Sequence, residues 1–422
     1  MSFDRHTLML ALTLFAGGMG GSLSAQRTAA APATAPVRSL VLTHANVIDG
    51  RAPRPVSDET LVLVGGKIAR IERGTVVPPA GADVIDLQGR YVLPGLIDAH
   101  THIRDRAEAR RALESGVTTV RSASTPFFED VGLRELVRRG VLPGPEVLAA
   151  GLFVTPDLGE SVLADPRLAE LASGVNTPDE LRALVRINLD HGVDVIKTRA
   201  TERAGLVEQD PRKQVYTEGQ LRVIVEAAAA KGIPVMCHAH GDEGARAAVR
   251  AGVRSIEHGT YLSDTTLALM KQRGTYFVPT YSTVVDLSEP GGDYDSPALR
   301  VRGQAMLPYI RRAIQHAHQM GVKIVTGGDT EYGPNSVVRI PQEVVHFVEL
   351  GFTPLEAIQS ATTVAAELLG VDRRTGSIQE GMEADLIVVG GNPLEDITAL
   401  EDVLVVISNG QVALNRLPFG KN

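Results

Sequence analysis

The chain has 422 residues and a formal net charge of −8, with 44% hydrophobic and 22% charged residues. This composition is typical of a soluble globular protein, and the length favours one large domain with a smaller one. The acidic balance and the lack of an evident basic patch argue against a nucleic-acid-binding protein. With 4% aromatic residues and no tryptophan, a surface that stacks bases or sugars is not expected.

The first 25 residues differ in kind from the rest of the chain. An apolar run, "LMLALTLFAGGMG", precedes the small residues of "GSLSAQ", which predicts a signal peptide over residues 1–25 with cleavage after Ser24 or Ala25. The run is too short and too glycine-rich for a stable membrane span. We therefore expect an exported protein, periplasmic or secreted, and the alternative is a frayed N-terminus of a cytosolic protein. Residues 26–38, rich in Ala and Pro, are predicted to be a linker.

Strand signals dominate both ends of the remaining sequence. "SLVLTHANVIDG" and "TLVLVGGKIARIERG" near the beginning, and "VLVVISNGQVAL" near the end, combine β-branched residues with alternation and glycine-containing turns. The pair Asn409–Gly410 is a strong hairpin-turn signal. Residues 39–92 and 373–422 are therefore predicted to form one small β-sandwich domain built from both termini.

Between these ends, residues 93–372 alternate short apolar strands such as "GVDVIKTRA" with helical stretches such as "TEGQLRVIVEAAAAKG". Eight such βα units predict an α/β protein with a (β/α)8 TIM barrel, whose functional groups lie at the carboxyl ends of the strands. A doubly wound open sheet is the competing architecture, but no G-x-G-x-x-G follows the first strand.

Two histidines, His100 and His102, follow the first strand of this region in "YVLPGLIDAHTHIRD". Residues i and i+2 of a strand project to the same face, so His-x-His directs two imidazoles to one point. The motif alone leaves two interpretations open: a metal site at the end of a barrel strand, or two polar residues that merely follow a strand.

Further predicted strands also end in polar residues: Lys197, His238 with His240 two residues on, His258 and Asp329. In a barrel these ends would converge on one mouth. Imidazole and carboxylate ligands suit zinc or a similar divalent ion. A lysine is a poor ligand as a cation, but its carbamate, formed with carbon dioxide, could bridge two metal ions about 3.5–4 Å apart.

Through "GLIDAHTH", "DVIK", "VMCHAHG", "SIEHGT" and "TGGDT" the chain resembles the amidohydrolase superfamily over most of residues 39–415. More narrowly, "CHAHG…AVRAGVRSIEHG" is similar to the imidazolonepropionase-like branch. That branch includes dipeptidases that act on Xaa-Pro or on C-terminal basic residues, and ochratoxin-type amide hydrolases. Ser122 stands where relatives commonly have an acidic residue, which bears on the shape of the pocket rather than on the chemistry.

The resemblance implies a role for each residue at the strand ends. His100 and His102 would bind the more buried metal together with Asp329. Carboxylated Lys197 would bridge the two ions. The second ion would be held by His238 and His258, and the adjacent histidine would contact substrate: His240.

These roles predict a binuclear, metal-dependent amidohydrolase of dipeptidase or carboxypeptidase type, with two Zn²⁺ ions as the default. The expected substrate is a small carboxylate-bearing amide such as an N-acyl amino acid or a dipeptide, including ochratoxin-type amides. A metal-bridged hydroxide would attack the carbonyl, and Asp329 would serve as general base and then general acid. His240, Arg104 and Tyr281 are the candidate holders of the substrate carboxylate. Relatives assemble into oligomers, so a homo-oligomer is expected.

Two alternatives remain. An imidazolonepropionase-like cyclic amide hydrolase, or a deaminase, would use one metal ion and lack the bridging lysine, so "DVIK" argues against it. A non-catalytic relative that keeps the fold as an assembly module typically loses ligands, whereas this sequence retains all six.

Overall fold

The computed structural model describes residues 39–337 and 339–417, so the predicted signal peptide and linker lie outside the described residues. The strands of the described part are β1 (Ser39–Val47), β2 (Val56–Val64), β3 (Lys67–Arg73), β4 (Asp83–Asp86), β5 (Tyr91–Pro94), β6 (Leu96–Thr101), β7 (Val117–Ser122), β8 (Glu146–Leu148), β9 (Ile196–Arg199), β10 (Val235–Ala239), β11 (Ser255–His258), β12 (Tyr276–Val278), β13 (Leu386–Val389), β14 (Val403–Ser408) and β15 (Gln411–Asn415).

The α-helices of the same part are α1 (Arg106–Glu114), α2 (Glu129–Arg138), α3 (Pro178–Asp190), α4 (Glu218–Ala229), α5 (Asp242–Ala251), α6 (Asp264–Arg273), α7 (Tyr281–Ser288), α8 (Pro297–Met320), α9 (Ile340–Glu349), α10 (Pro354–Ser360) and α11 (Thr363–Leu369). Short 3₁₀ helices cover Gly159–Leu163, Pro166–Leu171 and Ile397–Glu401. None of the helices in the described part combines the length and the apolar character needed to cross a membrane.

Strands from both ends of the chain join one mixed sheet, with the order β15-β14-β13-β5-β1-β2-β3 and with β4 paired to β1. The two ends meet where β13 runs antiparallel to β5, with Leu93 opposite Ile387. Asn409 and Gly410 both have positive φ, at 49° and 71°, and connect β14 to β15, as the Asn-Gly pair predicts. The two strand-rich ends thus belong together, while the sandwich form and the division into domains stay predictions.

The middle of the chain forms two parallel sheets, with the orders β6-β7-β8 and β12-β11-β10-β9. Isolated parallel β-bridges add to these sheets, and each involves a residue outside the named strands: Thr101–Thr330, Val154–Thr198 and Phe277–Ile324. Residues 323–330 hydrogen-bond to both sheets, since Val325 N–H donates to Phe277 O at 2.9 Å and Ala99 N–H donates to Thr326 O at 3.1 Å. This segment therefore lies between β12 and β6.

The helices that separate these strands bury one apolar face each, as α4 illustrates. Thr217 and Gln220 form a capping box at its N-terminus, each accepting a hydrogen bond from the backbone N–H of the other. Leu221, Ile224 and Ala228 recur at helical spacing and are fully buried in the main hydrophobic core. The helical periodicity of "TEGQLRVIVEAAAAKG" is confirmed.

Candidate metal centre

Several predicted ligands lie at or just beyond the carboxyl ends of parallel strands. His100 is the next-to-last residue of β6, His238 has the same position in β10, and His258 ends β11. The ladder between β10 and β11 pairs Ala239 with His258, so these two strand ends lie level with each other. His258 and Asp329 have positive φ, 71° and 46°. Such backbone costs of order 1–3 kcal/mol in a non-glycine residue, and it clusters at functional sites.

Asp329 lies among three histidines. Its Oδ1 is 3.3 Å from Nε2 of His100 and 3.5 Å from Nε2 of His102, and its Oδ2 is 3.9 Å from Nδ1 of His258. Burial alone would raise the pKa of Asp329, but the charge and hydrogen bond of His100, together with His102, hold this pKa well below its usual range. The carboxylate is therefore ionised at neutral pH, the form that binds a cation.

A second group of imidazoles stands beside the first. The rings of His238 and His258 lie 4.5 Å apart between centroids, those of His240 and His258 4.7 Å apart, and those of His238 and His240 4.8 Å apart. Each of these three residues is buried. His258 belongs to this group and also to the group of His100 and Asp329, so the two groups share one side chain.

Lys197 lies inside this arrangement, with only 2% of its surface exposed. Its Nζ donates to Nε2 of His100 at 3.3 Å, and the Phe153 ring lies 5.7 Å away. Burial lowers the pKa of Lys197 to about 8, against the opposing charges of Glu257 and Asp329. About a tenth of this amine is therefore uncharged at pH 7, a far larger share than for an ordinary lysine with a pKa near 10.4.

The donors present fit a divalent cation. Burial, with neighbouring positive charge, lowers the pKa of His238 and of His258 well below the usual value, and burial lowers the pKa of His240 to about 3. Neutral imidazoles and an ionised carboxylate are the forms that bind metal. His238, His258 and Asp329 are thus in the form that binds metal, and the individual assignment of the ligands stays a prediction.

A buried ion pair beneath His100 was missed by the sequence interpretation. Nδ1–H of His100 donates to Glu257 Oε2 at 2.6 Å, and Arg121 Nη2 donates to the same carboxylate at 3.0 Å. This pairing turns Nε2 of His100 toward Lys197 and Asp329, which is how outer partners orient a metal-binding histidine. A charged residue inside each of the apolar strands "TTVRS" and "SIEH" was the available signal.

A second missed residue, Asp98, connects β6 to the segment that carries Asp329. Its Oδ1 accepts from His100 N–H and from Gly328 N–H, both at 3.0 Å, and its Oδ2 accepts from the Tyr332 hydroxyl at 2.9 Å. Burial raises the pKa of Asp98 to about 6 in spite of these three bonds. Asp98 therefore fixes the backbone on both sides of the site.

The remaining histidines are held through one ring nitrogen each. His102 Nδ1–H donates to the Ser124 carbonyl at 2.9 Å, and His238 Nε2–H donates to the Glu202 carbonyl at 3.0 Å. Each ring thereby keeps its second nitrogen as an acceptor. Two buried threonine hydroxyls complete the set, with Oγ1 atoms 2.8–2.9 Å from a histidine Nδ1: Thr280 at His258 and Thr260 at His240.

The predicted substrate-contacting residues lie in different surroundings. His240 is buried within the second group of histidines. The Arg104 guanidinium is engaged by acidic side chains, and the Tyr281 hydroxyl accepts from Arg311 at 3.3 Å. The side-chain hydrogen bonds of Arg104 and Tyr281 thus go to partners other than the histidines, and all three substrate roles stay predictions. Ser122 is fully buried in β7, and its hydroxyl accepts from Ser124 N–H at 3.3 Å.

Imidazoles, an ionised carboxylate and a buried lysine, gathered where parallel strands end, define a candidate metal site in an α/β protein. The family model of the amidohydrolase family matches residues 91–413, and the chain belongs to this family. Its similarity to both an imidazolonepropionase and an ochratoxinase places it in the imidazolonepropionase-like branch, which confirms the resemblance recognised in the motifs.

Three relatives illustrate the similarity. Ochratoxinase from Aspergillus niger is 27% identical over 422 residues, covering 90% of this chain and 87% of the relative. Imidazolonepropionase from Micrococcus luteus is 28% identical over 364 residues, covering 80% and 88%. The crystal structure of a Xaa-Pro dipeptidase with bound methionine in the active site has a TM-score of 0.77 at 33% identity, over 89% of this chain and 99% of that chain. The TIM-barrel-type α/β fold is thereby confirmed.

Proposed function

We propose that the chain is a binuclear amidohydrolase that cleaves the amide bond of a small carboxylate-bearing substrate, an N-acyl amino acid or a dipeptide. The observation that carries this proposal is the buried Lys197, 3.3 Å from His100, in a site where two groups of metal-binding type share His258. A buried lysine beside these histidines would suit a carbamate that supplies an anionic ligand to two ions. The similarity to a Xaa-Pro dipeptidase and to an ochratoxinase supports amide substrates of this class.

In this proposal His100, His102 and Asp329 hold one divalent ion, and His238 and His258 hold the other. Zinc suits this mixture of imidazole and carboxylate donors. When bound, such ions supply Lewis acidity, which makes water more acidic and a carbonyl more electrophilic. Glu257 keeps the His100 ring in the tautomer that presents Nε2.

Lys197 is proposed to carry a carboxylate derived from carbon dioxide. The uncharged amine attacks carbon dioxide, a new N–C bond forms, and one proton leaves Nζ, so the product has a single negative charge. Burial favours this reaction because it lowers the pKa of the ammonium to about 8. The resulting anion would replace a buried cation among histidines, which suits a site for divalent ions.

Asp329 is the proposed proton carrier of the reaction. Its ionised carboxylate accepts the proton that the attacking water loses, and it returns this proton to the nitrogen of the leaving amine. The C–N bond breaks and the acyl group keeps the water oxygen with its second proton. The products are a free amine and a carboxylic acid, which releases that proton to solvent at neutral pH. Oδ1 of Asp329 lies 3.3 Å from Nε2 of His100 and 3.5 Å from Nε2 of His102, and these contacts hold the carboxylate in place for both transfers.

We further infer that the two parallel sheets close into one eight-stranded barrel, and that the terminal sheet forms a small domain of its own. The hydrogen bonds of residues 323–330 to both sheets support the closure. Export, and assembly into a homo-oligomer, are proposed on the sequence pattern and on the family.

A substrate screen on purified protein supplied with zinc tests the function. N-acyl amino acids and dipeptides should be hydrolysed, with activity lost on chelation and restored by zinc, and about two ions should be bound per chain. Imidazolonepropionate belongs in the same screen, since its cleavage in the absence of any acyl amino acid hydrolysis would favour the alternative. Activity that survives complete metal removal would contradict the proposal.

A further inference from the structure

Arg199, the last residue of β9, is a buried cation whose guanidinium has no acidic partner in the described part of the chain. Only 9% of its surface is exposed, and its Nε has no hydrogen-bond partner. Within residues 39–337 and 339–417, no hydrogen bond or ion pair reaches the rest of this guanidinium. The ring of Phe153 lies 6.0 Å from Cζ. Leaving Nε buried without an acceptor is costly, and an anion that binds this guanidinium would displace no protein partner.

The strand register places Arg199 beside the catalytic region. Arg199 is opposite His238 in the parallel ladder between β9 and β10, so the two side chains lie on the same face of the sheet. Lys197 is two residues earlier on β9 and shares this face. Arg199 therefore stands one pleat nearer to the carboxyl end of the strand than Lys197, on the side from which a substrate reaches a barrel-type site.

The nearest acidic side chains are already occupied. The negative charges of Glu202 and Asp157 act electrostatically on Arg199, but neither carboxylate forms an ion pair with it. Glu202 Oε1 lies 2.6 Å from Lys213 Nζ, and Asp157 Oδ1 accepts from Gly159 N–H at 2.9 Å. The protein thus supplies Arg199 with no counter-ion from its own neighbours in the described part of the chain.

Arg104, an arginine expected from the sequence to hold substrate, shows the opposite situation. Its Nη2 is 2.6 Å from Glu331 Oε2 and 3.2 Å from Glu108 Oε1. A substrate carboxylate would have to displace these acidic partners before it could bind Arg104. The unpaired guanidinium of Arg199 binds an anion without breaking an existing pair.

We propose that Arg199 binds the carboxylate of the substrate. This contact would make the enzyme selective for N-acyl amino acids and dipeptides whose α-carboxylate is free. The inference rests on the proposed function, because it takes the scissile carbonyl to lie beside Lys197 and Asp329. A planar guanidinium binds a carboxylate through two parallel hydrogen bonds. Two residues of a strand advance roughly 6.6 Å, a separation that suits the carbonyl and the carboxylate of one N-acyl amino acid.

The test compares N-acetyl-L-phenylalanine with its carboxamide, N-acetyl-L-phenylalaninamide, since both release acetate on cleavage and differ only in the anion. Arg199→Met keeps the length and the contact with Phe153 but removes the charge. We expect kcat/KM for the acid to fall about 10- to 100-fold, mostly through KM, while the carboxamide is unaffected. The kcat/KM of Arg199→Lys for the acid should lie between the values of wild type and Arg199→Met. The exposed Arg222, paired with Glu218 on α4, supplies the control Arg222→Met, which should leave both substrates unchanged.

A binding measurement keeps this test independent of turnover. Calorimetric titration of both probes into the zinc-loaded Asp329→Asn protein should show tighter binding of the acid than of the carboxamide. This preference should be absent from the double variant that carries Asp329→Asn and Arg199→Met. If this preference is found although the wild-type protein cleaves neither probe, the proposed function fails while the role of Arg199 stands.

Three results would overturn the inference. The first is a wild-type protein that does not distinguish the acid from the carboxamide. The second is a preference that survives in Arg199→Met but is lost in Arg104→Met. The third is loss of bound zinc in Arg199→Met, because Arg199 would then support the metal site rather than the substrate.

Discussion

Replacing Glu257 by Gln removes one charge from the buried pair beneath His100 while keeping the size of the side chain. Glu257 has no exposed surface and accepts hydrogen bonds from both His100 and Arg121. In Glu257→Gln the guanidinium of Arg121 loses its counter-ion in a fully buried place. The single amide oxygen of Gln can no longer accept from both His100 and Arg121. We therefore expect both a less stable protein and weaker zinc binding.

The size of the effect follows from the pKa of Glu257. Burial alone would raise this pKa, but the charge of Arg121 and the hydrogen bond of His100 lower it from 4.5 to about 2. Such a shift corresponds to about 3 kcal/mol of folding free energy. Loss of one partner of a buried ion pair typically costs about 3–5 kcal/mol. Removal of an outer partner of a metal ligand weakens metal binding about 10- to 100-fold.

Urea unfolding of the metal-free proteins measures the first effect. Because the pKa of Glu257 is lowered in the folded state, its contribution is complete above pH 4.5 and is lost as the pH falls toward 2. The difference in free energy of unfolding between wild type and Glu257→Gln should therefore be about 3 kcal/mol at pH 7 and shrink below pH 4.5. Glu135→Gln, which breaks an exposed pair with Arg138, is the control and should leave the free energy of unfolding nearly unchanged. Equal stability and equal zinc affinity in wild type and Glu257→Gln would refute this reasoning.

Three further substitutions address the site directly. Asp329→Asn should lower turnover by at least about 10²-fold, with metal content measured on the same sample, and more than a third of wild-type turnover would rule out its role in proton transfer. His238→Ala should stay folded by circular dichroism while losing one of the two bound ions, and full occupancy would remove His238 from the site. Lys197→Ala should be inactive, and short carboxylates such as formate should restore part of its activity. Mass spectrometry or crystallography of the fully active wild type provides the second check, since an unmodified ammonium at Lys197 would exclude the bridging carbamate.

The polar residues at the strand ends could be predicted because each follows a short apolar strand in the sequence. The alternation of a strand and the convergence of parallel strand ends were sufficient to gather His100, His238 and His258. The partners of these residues could not be found in this way. Glu257 meets His100 only in the folded protein, because β11 and β6 belong to different sheets and are far apart in the sequence. No local sequence pattern encodes this contact.

The role of Arg104 illustrates the same difficulty. An arginine two residues after His102 is a reasonable anion-binding residue in the sequence, but the fold brings Glu331 to it from the segment after Asp329. Arg199 has no such partner and was not singled out, since a charged residue after a strand commonly faces solvent. The positive φ of His258 and of Asp329 could not be predicted from the sequence either. Neither residue is glycine, the residue type that would have indicated this backbone conformation.

The pairing of β5 with β13 has a consequence for the folding of the protein. β5 continues through Gly95 into β6, which carries His100. Position 95 requires glycine, because a Cβ there would overlap the side chain of Thr118 on β7. The strand that completes the other side of β5 lies almost at the end of the chain. Pairing β5 with β13 closes a very long loop, which is a slow step of folding. We therefore expect the support that β13 gives to β5, and through Gly95 to the strand that carries His100, to form late in folding.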